Sequence, residues 1–259
     1  MNLAEAKRYV ADRDVVDSIK LEVSAIDPQF EGMVREVVPQ IVKVCVDNYY
    51  PYLTLEALEK AKTLADRIVV TDKETFSLLR DTWREDWKEE DEDKVENDGV
   101  RMFIGDIILL KAPSNLEYAW GKFSDAIKQE NIRNFKSEEG AKRELGLRRF
   151  EFVLIHEIIH GFHPNDSERM SHLFSENGVC YYTREIANQL RVQNFSLRDE
   201  LRADVHADFV RQSPEIVHRV FFGSETGKGA TLVNEAYREY IFQRFPLARE
   251  GAYKSPEKT

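Results

Sequence analysis

The stretch SEEGAKRELGLRRFEFVLIHEIIHGFH, residues 137–163, leaves its part of the chain little conformational choice. Ser137, with the two glutamates that follow it and Gly140, forms a capping-box-like start. A serine oxygen can accept from the free N–H groups of a first turn, and the carboxylates complement the helix dipole there. Apolar side chains then recur every three or four positions, and Pro164 forbids continuation. One long helix is therefore expected, and it needs a core against which to bury its apolar side. Hydrophobic residues make up 42% of the 259, enough for a sizeable one.

That helix carries His156-Glu157-Ile158-Ile159-His160. Two histidines four apart lie one turn from each other, about 40° around the axis, so both imidazoles can reach one ion. Zinc takes nitrogen ligands in a tetrahedral arrangement, and this spacing supplies two from one rigid element. Glu157 stands beside them without having to ligate, and its carboxylate can take a proton from a metal-activated water. In a chain with six histidines, such a triplet at the end of the most apolar helix points to a metal site.

Elsewhere the pattern alternates. Residues 29–50 read as a buried helix with Pro39 as a possible break, and a second helix starts near Thr54. Residues 67–71 (RIVVT) and 100–111 (VRMFIGDIILLK) read as strands, the latter with a turn or bulge at Gly105-Asp106. Asp72 can cap a helix containing Phe76, Leu79 and Trp83. Helices are expected again over 171–192, 197–211 and 230–244, with Ser196 as a start for the second of these. Strand and helix mixed first, then helices only, means an α+β class. The expected organisation is one catalytic domain over 1–249 in two lobes. An upper lobe, about 1–163, holds a small mixed sheet with helices and the active-site helix; a lower lobe, 164–249, is mainly helical.

HExxH on a helix resembles the zincin metallopeptidases. Membership would imply a zincin-like fold with a catalytic strand, here 100–111, stacked beside the active-site helix. It would also imply a third protein ligand. SENGVCYYTREI resembles the glutamate helix of the gluzincin branch, with Glu176 as ligand and Gly178, Tyr181, Thr183 and Arg184 matching the residues after it. Asn177 replaces a glycine, and Cys180 sits where some gluzincins have an acid. Two alternatives stay open. Glu200, in Glu200-Leu201-Arg202-Ala203-Asp204, resembles another gluzincin helix, although Glu200, Asp204 and Asp208 also fit a solvated face. Asp166 overlays a metzincin pattern, with His163 in place of its glycine. The gluzincin resemblance further implies a tyrosine or histidine for the oxyanion, and Tyr237 stands at a compatible place.

The activity implied is zinc-dependent hydrolysis of peptide bonds through a metal-activated water, with peptides or proteins as substrates. The alternative is a zincin-fold metal-binding interaction module without turnover. A net charge of −10 argues against nucleic acid, whose phosphates need a basic face. Residues 85–98 hold nine acidic and two basic side chains and are expected as a mobile acidic loop. Residues 250–259 are expected as a polar tail. The first twenty residues lack the apolar stretch of a signal peptide and no long apolar run follows, so a cytoplasmic protein without membrane association is expected. Cys45 and Cys180 are expected as buried thiols.

Overall fold

The computed structural model describes residues 22–23, 28–64, 68–71, 99–102, 107–111, 120, 124–163, 172–192 and 197–245. The helix from Asp72, the acidic stretch 85–98, the turn at Gly105-Asp106, Asp166, Ser196 and the tail 250–259 lie outside these residues. Among the described residues, no helix is long and apolar enough to cross a membrane.

Helix α1, Pro28–Tyr49, runs through Pro39 without ending, and α2, Leu55–Thr63, follows. Thr54 caps α2 by accepting from Ala57 N at 3.0 Å. Four strands come next in space: β1 Glu22–Val23, β2 Ile68–Thr71, β3 Gly99–Met102 and β4 Ile107–Lys111. Their order is β1-β2-β4-β3, with β1, β2 and β4 parallel and β3 antiparallel to β4. Ile68 stands opposite Ile108 and Val70 opposite Leu110, and all four are buried, so one face of the ribbon meets the core.

Helices α3, Asp125–Phe135, and α4, Glu138–Phe162, meet at Lys136, whose left-handed backbone (φ 64°) ends α3. Ser137 then caps α4, its Oγ accepting from Gly140 N at 2.9 Å. Helices α5, His172–Leu190, α6, Leu197–Val210, α7, Pro214–Phe221, and α8, Lys228–Arg244, complete the chain. Helix α4 is the central post: it packs on α1, α2, α3, α5, β3 and β4. Gly161 lets α2 approach it, since a Cβ there would stand 2.8 Å from Leu64 Cδ1. The main core is helix on helix, through Val38, Ile41, Leu58, Ile155, Phe174 and Phe221.

The α+β, zincin-like class is corrected by this architecture. The described chain is overwhelmingly helical, and its strands, of two to five residues, form no layer on which a two-lobed α+β domain could be built. Apolar β-branched runs signal local extension, but the class is set by what supplies the core, and here helices supply it. Helix α5 begins at His172, so Glu176 stands in its second turn.

Candidate metal centre

The final turns of α4 put His156 and His160 on one side, ring centroids 5.0 Å apart. Helix α5 packs against α4 and brings Glu176 to them. One potential ligand atom from each of His156, His160 and Glu176 lies within 4.8 Å of the other two. His160 Nε2 and Glu176 Oε1 are 3.7 Å apart. A tetrahedral ion with bonds of about 2.1 Å separates its ligand atoms by about 3.4 Å, so this pair needs only a small side-chain adjustment.

Burial lowers the pKa of His156, against the opposing pull of Glu176 and Asp199, and favours the neutral imidazole that a metal requires. Its Nδ1 is buried without a hydrogen-bond partner, which costs about 1–3 kcal/mol unless something is met there. Two imidazoles and a carboxylate, one ring nitrogen unpaired, form a donor set that suits zinc. Glu157, only 6% exposed, lies about 100° from His156 and 60° from His160 around the helix axis.

Helix α6 adds two residues that the sequence did not single out. Arg202 Nη1 is 3.7 Å from Glu176 Oε2. Asp199, one turn earlier, accepts from Cys180 Sγ at 3.9 Å. Cys180, one turn after Glu176, is thus met by a carboxylate from the neighbouring helix. Its thiol is pushed up to about 12, by burial first and by Asp199 next. The signal for these residues was their spacing: Asp199, Arg202 and His206 share one face of α6.

The other expected residues are not among the three converging ligands. Glu200, with Asp204, holds Arg184 of α5 at 3.4 and 2.6 Å. Leu201 is 58% exposed, whereas Ala203, His206 and Ala207 are buried, so the solvated face of α6 includes Leu201. His163 caps α4 and is buried edge-on to Phe221, centroids 4.8 Å apart. Tyr237 is a core aromatic with no exposure, and its hydroxyl accepts from Asn177 Nδ2 at 2.9 Å. Burial pushes its phenol further up.

Beyond Tyr237 lies a second histidine pair. His206 is wholly buried among Phe174, Tyr181, Tyr182, Phe221 and Tyr237, and neither ring nitrogen has a hydrogen-bond partner. Burial drives its pKa down to about 3. His218 Nδ1 lies 2.7 Å from Tyr182 Oη, and burial brings its pKa down to about 4. Gly178 makes room for these rings, since a Cβ there would stand 2.6 Å from Phe221 Cδ2.

Comparison with family models, with curated proteins and with solved structures finds no match for this chain.

Proposed function

We propose that the chain is a zinc-dependent metallopeptidase, held to its metal by His156, His160 and Glu176. The convergence of these three side chains, with Glu157 next to His156 in the HExxH motif, is the observation that carries the reading. Zinc in such a site lowers the pKa of water and polarises a carbonyl. Glu157 takes the proton of the attacking water and returns it to the leaving amine. His156, kept neutral by burial, and Glu176 hold their places through the packing of α4 on α5. The reading rests on this chemistry and not on a shared fold. Peptides or proteins are the proposed substrates, and the two free buried thiols support a cytoplasmic setting.

A second reading has one observation in its favour. Tyr237 is sealed in the core, so a metal-holding interaction module without turnover would account for a cluster that lacks this donor. Metal analysis with a peptide-library digest decides between them. The peptidase reading expects about one zinc per chain and zinc-dependent cleavage, both lost in a His156→Ala, His160→Ala double variant. Zinc uptake without cleavage leaves the module.

A further inference from the structure

Attack on a peptide carbonyl leaves negative charge on its oxygen, and the Tyr237 hydroxyl is buried and already bonded by Asn177. Arg202 does border it. Its Nη1 is 3.7 Å from Glu176 Oε2, and its side chain keeps 27% exposure. Glu176 divides its two oxygens, Oε1 toward His160 and Oε2 toward Arg202. Oε1 is thereby set for the ion, and the guanidinium stands at the other oxygen of the same carboxylate. At 3.7 Å this is an ion pair without a hydrogen bond. Arg202 also meets the Cys180 thiol, whereas Arg184 is clamped by the two carboxylates of Glu200 and Asp204.

We infer, on the footing of the peptidase reading, that Arg202 is the anion-holding group of the centre and donates to the tetrahedral oxyanion of the substrate. A guanidinium offers five N–H donors in a planar fork, suited to two oxygens at once. As the water oxygen bonds to the carbonyl carbon, its proton passes to Glu157 and the π pair moves onto the carbonyl oxygen, beside Arg202. Collapse restores the carbonyl and breaks the C–N bond, and the leaving amine takes the proton from Glu157. Arg202 is thus a catalytic residue by contact, not merely a support for Glu176.

Inorganic phosphate, a tetrahedral oxyanion, is the probe. The full chain is loaded with cobalt(II), whose visible spectrum reports anions reaching the ion, and is titrated with phosphate as parent, Arg202→Met and Arg202→Lys. Zinc affinity is measured by chelator competition. Arg202→Met is expected to keep zinc within about threefold, to bind phosphate at least about tenfold more weakly, and to lose about 10²-fold in kcat with less change in KM. Arg202→Lys, which keeps the charge and the fold, recovers part of the phosphate affinity. Equal phosphate binding by parent and Arg202→Met overturns the inference, as does a fall in zinc affinity with phosphate affinity intact. Zinc-dependent cleavage with equal phosphate binding ends this inference alone, whereas a parent that takes up no metal ends the peptidase reading with it.

Discussion

Helix α5 borders two histidine pairs whose surroundings differ in kind. His156 and His160 meet a carboxylate and a guanidinium, and His160 and Glu176 keep 19% and 23% side-chain exposure. His206 and His218 meet rings: Tyr49, Tyr52, Tyr182, Phe221 and Tyr237 enclose them, and Tyr182 Oη lies 2.7 Å from His218 Nδ1. A histidine in a helix is therefore not a ligand by itself. Spacing brings the first pair to one point, but the carboxylate from α5 and the partial exposure make that point usable by an ion. The second pair has no carboxylate from α5, and although His218 is half-buried, His206 is sealed, so its energetic content is apolar packing with a polar cost.

The comparison can be broken most sharply at Glu157. Glu157→Gln is expected to retain zinc and fold while kcat falls by about 10²–10⁴-fold, because the amide keeps the shape and takes no proton. Parent-like turnover on a peptide pool would remove it as the base. Next in size, Glu176→Ala should weaken zinc beyond the ~10–100-fold typical of losing an outer partner, since a ligand itself is lost. Chelator competition measures this, and parent-like affinity would dissolve the cluster.

The aromatic pair yields an acid-stability prediction. His206 stays neutral when folded, with its pKa near 3, while the unfolded chain takes up a proton below about 6.5. The unfolded state then binds more protons, so stability is fully present above pH 6.5 and declines as pH falls toward 3. The slope is about 1.4 kcal/mol per pH unit. His206→Leu should flatten that acid limb in urea titrations at successive pH values, and an unchanged limb would show that its burial is not what costs. Gly178→Ala, which drives a methyl into Phe221, should lose about 1–3 kcal/mol of unfolding free energy by denaturant titration. The smallest effect belongs to Glu200→Ala. Asp204 still holds Arg184, so stability should change by less than about 1 kcal/mol and zinc affinity should match the parent.

Helix α4 was legible because its start, its periodicity and Pro164 agree, and both imidazoles follow from four-residue spacing alone. Helix α3 gave no comparable signal, as it buries no residue and touches Trp120, Ala141 and Leu145 only through Ile132 and Phe135. Helix α7 had one, a proline at its first turn with Val217, Val220 and Phe221 behind it, but it is short. Pro39 misleads as a break, because packing of α1 on α4 and α5 outweighs the loss of one backbone bond. The class was misread because strand-like runs count equally in a sequence, whatever share of the core they supply. Arg202 and Asp199 could not be placed, since the packing of α6 on α5 is what brings Arg202 beside Glu176 and Asp199 to Cys180.

Helix α5 carries Glu176 near its start and Tyr182, deep among the rings, further along the same rigid rod. An unfolded chain cannot gather the three donors, so any ion they hold is bound by the native state alone. On the proposed reading, mass action then couples metal supply to the whole core: free zinc at a hundredfold over its dissociation constant adds about 2.7 kcal/mol to the unfolding free energy. The coupling is reciprocal, so a lesion among the aromatic rings that lets α5 tilt would surface first as a weaker grip on metal. The protein's survival against unfolding and proteolysis would in that case follow the metal content of its surroundings.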